Sequence, residues 1–391
     1  MYRKLAYNTH WRRSLVGLAL TLLIPSTAVL HKYLGLWGVV AYAAAISLLL
    51  LGLFRYPATG LRMMTVLTPS QLFWLAGLTL GLLLVAFAII YPIVDSGIVG
   101  GGSDGDDALN LATRELLAGR YPYYPRTYLG NPISPMPGAL LLAIPFVLLG
   151  NSAYQNFFWL LVFIVVMKSH WRDWRLALFL FWLVLALSPA VLHSLLIGSD
   201  YIANSLYVLV LMLGVVTVTS QPSWPAWSRI LLAVLLGIGL SSRANFLLLL
   251  PLIFSAVGRQ AGWRTAVQYT GITIMAYTAV TLPFYLYDPP AFSPLHTANK
   301  LGQFAAVLPD AGMIVPALTM LVAAGLAIWQ RDASHLLKTS TVVMALPVLA
   351  GILLTIITRG ELDFRFASFG LFFLFFGAAA FWQDVWRLEA D

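Results

Sequence analysis

Residues 71–92 read QLFWLAGLTLGLLLVAFAIIYP, an uncharged apolar run long enough to cross a bilayer as one helix. Comparable runs recur from about residue 15 to residue 383. They are continuous and not alternating, which excludes a β-barrel. The chain is 60% hydrophobic and 10% charged, against roughly 45–50% and about 25% in soluble domains. So little polar surface excludes a soluble enzyme and a disordered chain. The fold class expected is an all-α polytopic membrane protein, a single domain over 1–391, because only closed backbone hydrogen bonding survives in lipid.

The net charge of +8 sits in short loops between apolar runs. That is the pattern of membrane orientation, and no nucleic-acid partner is expected. The chain has no cysteine, which removes disulfides, thiolate metal sites and thiol nucleophiles. The first run lacks a small-residue cleavage site and more runs follow it, so it reads as a retained helix.

Charge parity sets the topology. Arg3, Lys4, Arg12 and Arg13 precede the first span and put the N-terminus in the cytoplasm. About ten full spans are expected, near 14–30, 34–54, 71–92, 154–167, 176–192, 201–219, 265–284, 311–330, 340–358 and 366–383. Residues 1–70 form an N-terminal helical hairpin. The stretch 137–150 is short for a core about 30 Å thick, and Lys168, Arg172 and Arg175 would otherwise face the wrong side. It therefore reads as a half-membrane or re-entrant helix. The run 230–257 reads as a hairpin of two short helices split at 241–245, with Arg243 at its outer tip. Both termini then lie in the cytoplasm, with 15 of the 23 basic residues. Ten of the 15 acidic residues fall outside, which directs the search for chemistry to the outer face.

The outer segment 93–136 is the most informative. From Val94 to Gly138 the chain reads VDSGIVGGGSDGDDALNLATRELLAGRYPYYPRTYLGNPISPMPG. A Gly-rich run ends at Asp104, Asp106 and Asp107. Leu109, Ala112 and Leu116 then mark a helix to about Ala118, and Gly119 is its stop. An amphipathic helix followed by tyrosines suits a membrane interface. Three carboxylates so close repel, and they cap the helix, bind a cation or move protons. Capping is an even alternative to catalysis, since Asp106 and Asp107 complement the positive helix end. No Gly-Lys-Ser/Thr follows, so this is not a P-loop. Calcium-loop spacing is absent and one loop offers too few ligands, so neither metal nor cofactor is assigned.

Asp106-Asp107, then Gly119 and Pro122-Tyr123, then Pro135-Met136-Pro137 opening an apolar helix, resemble the first outer loop of the GT-C superfamily. These are integral-membrane glycosyltransferases. The resemblance is specific over 104–137 and architectural elsewhere. It implies a GT-C-like bundle and a polyprenyl-phosphate sugar donor. The acceptor is a lipid, glycan or protein hydroxyl, and transfer occurs on the outer face with inversion at the anomeric carbon. Relatives carry the acidic loop after their first span, and here it follows the third, with the 1–70 hairpin as the addition. The alignment favours Asp106 as general base, with Asp104 and Asp107 next. Arg243, Arg365 and Lys300 are the candidates for the donor phosphate, against simple interfacial snorkelling. Asp200, His193, Tyr123 and Glu361 are candidates for orienting the acceptor. Asp200 is equally a helix cap, and Glu361 equally an i, i+4 partner of Arg365. The loop 285–310, broken by Pro289-Pro290, would cover the site. A bacterial cytoplasmic membrane is the expected location, with membrane lipids as neighbours.

Three other classes compete. A transporter or lipid flippase would line a path with mid-span charges or show inverted repeats, and the spans carry neither. A membrane acyltransferase needs a His–acid pairing that the sequence does not offer. A GT-C-like scaffold without activity is the last.

Overall fold

The computed structural model describes residues 11–55, 67–96, 104–221 and 223–385. The segments expected to hold the N-terminal arginine and lysine and the Gly-rich run 97–102 lie outside them. No β-strand forms among the described residues. The helices are α1 Trp11–Arg55, α2 Pro69–Asp95, α3 Gly105–Leu117, α4 Pro137–Leu148, α5 Tyr154–Trp171, α6 Trp174–Leu187, α7 Pro189–Leu196, α8 Tyr201–Ser220, α9 Ala226–Leu240, α10 Leu250–Ala261, α11 Trp263–Tyr287, α12 Ser293–Ala298, α13 Ala311–Ile328, α14 Ala333–Arg359 and α15 Leu371–Val385. Among the described residues seven helices are long and apolar enough to cross a membrane, eight if the bent pair α6–α7 is one span. They suggest an integral membrane protein.

That number differs from the ten expected through three kinds of loss and one gain. α1 is one helical run interrupted at Gly35 (φ 64°), and so counts once. The Ser26 hydroxyl lies 3.4 Å from that of Ser188, while Tyr42 donates to the Leu187 carbonyl. In a straight helix residues 26 and 42 would sit about 24 Å apart, so α1 folds back at Gly35. α5 and α11 are diluted by polar residues, among them Gln155, Asn156 and Lys168, and Arg264, Gln268 and Thr270. The second arm of the 230–257 hairpin, with its leading 3₁₀ turn, instead reaches 18 residues over Ala244–Ala261 and joins the seven. The span expected at 176–192 is not straight. It bends 84° at Ser188, where Pro189 opens α7 and the Ser188 side chain accepts from the Val191 amide.

α8 is the central element, with 83% of its apolar window buried between α5, α9, α10 and α15. α15 packs antiparallel to the first half of α1. Ser14 bonds Asp384 (3.1 Å), Gly17 faces Phe381, Thr21 faces Gly377 and Pro25 faces Gly370. Small residues admit this close approach. The short helix α4 begins where α9 ends. The Gly138 amide donates to the Ser241 carbonyl and hydroxyl, each at 3.1 Å, and the Met136 amide donates to the Ser242 carbonyl at 3.1 Å. A side chain at Gly138 would strike the Ile238 carbonyl and Ser241.

The amphipathic helix forms as its spacing requires. α3 ends at Leu117 and Gly119 takes φ 70°, the left-handed turn that favours glycine. Ala108, Leu109 and Ala112 are buried, and the helix lies on α4. The 285–310 segment is stitched to it. Tyr121 donates to the Phe284 carbonyl (2.8 Å), Tyr124 to Asp288 (3.1 Å) and Ser293 to the Ile133 carbonyl (2.7 Å). These loops, the Gly35 fold-back, Asp200 and Arg243 share one end of the bundle.

Candidate functional site

The three carboxylates of α3 have separate fates. Asp104 accepts from the Thr127 hydroxyl (2.7 Å) and the Asn131 amide group (2.8 Å). Asp107 accepts from the Tyr128 amide at 3.1 Å. Both pin the 127–131 turn onto the start of α3. Asp106 is 1% exposed. One of its oxygens accepts from the Tyr91 hydroxyl, and the other, Oδ1, is buried with no hydrogen-bond partner. Burial lifts its carboxyl to about 7; the Tyr91 bond and its own backbone amide oppose this, and the charges of Asp95 and Asp107 add to it. Asp104, at the N-cap position of α3, makes no side-chain capping hydrogen bond.

Asp106 is held by several elements. The Gly198 turn comes against it, and a Cβ there would meet the Asp106 carboxyl carbon at 3.2 Å and Tyr91 and Ala153 at 3.1 Å. Asn156 clamps that turn, donating to the Ser199 carbonyl (2.9 Å) and accepting from the Ala203 amide (3.0 Å). Asn110 on α3 accepts from the Ser152 amide at 2.7 Å.

Asp200 follows the Gly198 turn and pairs with Arg243 at 2.5 Å, with side chains 1% and 11% exposed. Arg243 also donates to the Ser134 hydroxyl (3.1 Å) and stands 5.2 Å over the Tyr201 ring. Asn204 donates to the same Asp200 oxygen at 2.9 Å. Asp200 is thus an ion-pair partner, and its side chain makes no cap to α8. A buried pair of this kind needs these added hydrogen bonds to offset the loss of hydration.

Arg243 opens onto a cavity of about 230 Å³. Its walls are apolar and aromatic, among them Leu248, Pro316, Pro347, Val348, Phe366 and Phe369, and among the described residues its only charged lining groups are Arg243 and Lys300. Lys300 stands 4.9 Å over the Phe369 ring. Much of its chain is exposed, yet partial desolvation and, next, the Arg243 charge lower its ammonium, while Asp104 opposes. Asp104 is therefore the acidic side of this cationic mouth, and Asp106 lies behind it, outside the lining. Two cations in a low-dielectric wall are suited to an anion carrying an apolar tail.

The other candidates lie apart. Arg365 is 69% exposed, pairs with Asp363 at 2.6 Å and does not line the cavity. The expected Glu361–Arg365 pair is replaced by Asp363, which takes both Arg359 (3.2 Å) and Arg365; Glu361 is exposed. The reason is local: 365–370 is a 3₁₀ turn and 360–364 is not helical, so the helical i, i+4 geometry that would join Glu361 to Arg365 is absent. His193 lines a separate cavity of about 340 Å³ with Tyr33, Ile90, Ile93 and Val94, its ring nitrogen 3.4 Å from the Tyr33 hydroxyl. Tyr123 is 4% exposed, packed among Tyr121, Phe284 and Phe292. Burial drives its phenol well above its ordinary value.

Sequence alone does not find Tyr91, Ser134 or Tyr201. Each is brought in by packing from a neighbouring element, and Tyr91 sits 15 residues before its partner, with no periodic signal between. Among the described residues no group of three or more His, Asp or Glu could hold a metal ion. Comparison with family models, with curated proteins and with solved structures finds no match to this chain.

Proposed function

We propose that this chain is a GT-C-like membrane glycosyltransferase that moves a sugar from a polyprenyl phosphate to an acceptor hydroxyl on the outer face of the membrane. The observation that carries the reading is the apolar cavity whose only charged lining groups among the described residues are Arg243 and Lys300, at the same end of the bundle as a buried carboxyl lifted to about 7. The donor's first isoprene units lie against Phe366, Phe369, Pro347 and Val348. Its phosphate faces Arg243 and Lys300. Asp106 takes the proton from the acceptor hydroxyl as the acceptor oxygen attacks the anomeric carbon. The bond from that carbon to the phosphate oxygen breaks, and polyprenyl phosphate leaves with the added negative charge held by the two cations. A base near 7 is matched to proton transfer at neutral pH. Asp104 and Asp107 are engaged in holding the 127–131 turn, which leaves Asp106, buried against Tyr91, as the proposed base.

A lipid flippase is the second reading. The same cavity favours it, because an anionic lipid would fit without any chemistry. One experiment separates the two. Purified protein is given a panel of polyprenyl-phosphate sugars with membrane extract as acceptor, and Asp106→Asn is run alongside. Transfer by the wild type, lost at least 100-fold in folded Asp106→Asn, is the expected result. Equal transfer by both would move the base to Asp104 or Asp107. No transfer from any donor, with headgroup-labelled lipid crossing vesicles made with either protein, would establish the flippase.

A further inference from the structure

Asp106 and Tyr91 come from different elements. Tyr91 stands in the last turns of α2, and Asp106 in the first turn of α3, across a Gly-rich segment. The Tyr91 hydroxyl donates to Asp106 Oδ2, and the Asn151 side chain reaches the same hydroxyl. The Tyr91 ring is itself fixed, 4.8 Å from the Phe87 ring in a cluster with Ala153, Tyr154 and Phe157. Gly198 is the remaining wall, with room for no side chain between the ring and the carboxyl. A carboxyl so enclosed has Oδ2 tied to Tyr91 and Oδ1 buried with no hydrogen-bond partner.

We propose that Tyr91 is the positioning residue of the Asp106 carboxyl, holding Oδ2 and leaving Oδ1 as the oxygen that takes up the proton. This rests on the transferase reading with Asp106 as base, and it adds a residue outside the acidic segment to that reaction. Tyr91 does not touch substrate; it acts through Asp106. The hydroxyl does two things. It fixes which lone pair is free, and it stabilises the ionised carboxylate against its burial. The titratable groups around Asp106 are Tyr91 and Asp95 on α2, Asp104 and Asp107 beside it, and Tyr128 on the following turn. None of these is a cation, so the Tyr91 hydroxyl is the one side chain there that favours the ionised form.

The test uses full-length protein in nanodiscs, with Tyr91→Phe, Tyr154→Phe and Asp106→Asn. The protonated-carboxyl stretch of Asp106 is followed by infrared difference spectroscopy against pH, with Asp106→Asn to identify the band. The pH–rate profile of sugar transfer is recorded on the same samples. Tyr91→Phe is expected to raise the midpoint of the carboxyl titration by about one to two pH units, since a hydrogen bond to a charged group is worth about that much. The acidic limb of the rate profile should rise by the same amount, with kcat more affected than KM. Tyr154→Phe removes a hydroxyl from the same aromatic cluster and should move neither. An unmoved carboxyl band in folded Tyr91→Phe would overturn the proposal, and so would a lower rate with an unshifted profile. The infrared titration needs no turnover. If no donor is consumed, the transferase reading fails while the Tyr91–Asp106 coupling is still decided by the band. If transfer proceeds and the band stays put, the positioning role fails alone.

Discussion

Asp106 combines the two properties that set its chemistry against its stability. Its folded value of about 7 stands above the ordinary 3.8, so the fold binds the protonated form more tightly than the unfolded chain does. The stabilising contribution is full below about pH 4 and is lost as pH rises through about 7. The same ionisation is what a general base requires. Asp106→Asn, which keeps an acceptor for Tyr91 and cannot ionise, is therefore expected to melt several degrees above the wild type at pH 8 and to match it at pH 4. Thermal unfolding in detergent at the two pH values checks this. A variant that is inactive and more stable would mark the carboxylate as a group kept for function. Arg243 shows the complementary logic. Its guanidinium is held by Asp200, Ser134 and the Tyr201 ring, so it faces the cavity in one orientation before any ligand arrives.

At the scale of elements, the site depends on how short helices meet. The turn 241–243 carries Arg243 and is fixed by the start of α4 through Gly138 and Met136. Adding a methyl group at Gly138 meets backbone at Ile238 and Ser241, and backbone yields less readily than a side-chain tip. Gly138→Ala is expected to cost about 1–3 kcal/mol and to weaken binding of polyprenyl phosphate several-fold by displacing Arg243. Melting temperature and a titration with the phosphate lipid would measure both. Much at this scale was legible beforehand. The amphipathic period fixed α3, Gly119 fixed its end, and charge parity with shortness marked the stretch 137–150 and the break at 241–245. The 84° bend at Ser188 was less legible, because Pro189 permits either a kinked span or two helices until packing decides. The pairing at 359–365 was misjudged for the opposite reason. An i, i+4 rule was applied where the backbone is not helical. Tyr91 could not be read at all, since contact across the Gly-rich segment is a property of the assembled bundle.

At the scale of the molecule, exposed aromatic residues mark two levels. Trp74, Trp224, Trp227, Trp263 and Trp329 are exposed at the end away from the acidic helix, and Tyr33, Tyr124, Tyr128, Tyr285, Tyr287 and Trp37 are exposed at the other. Aromatic residues settle at the two membrane–water interfaces, and α2, 27 residues long, spans about 40 Å between such levels. The cysteine-free chain makes the orientation easy to test. Tyr128→Cys is expected to react with an impermeant maleimide applied to intact cells, and Trp227→Cys only after the membrane is opened. Labelling of both from the same side would refute the assigned topology. The antiparallel match of α1 with α15 bears on how such a protein is made. Ser14 and Asp384 are 370 residues apart in the chain. The ribosome therefore delivers Ser14 and Thr21 to the membrane long before the helix that packs on them exists. The Thr21 hydroxyl is satisfied within its own helix by the Gly17 carbonyl, so Ser14 is the residue of that face whose partner arrives last. Closure of the bundle is then an event of late biosynthesis, and a chain halted before residue 371 would hold its first helix through the 187–188 corner but without the helix that packs along its first half.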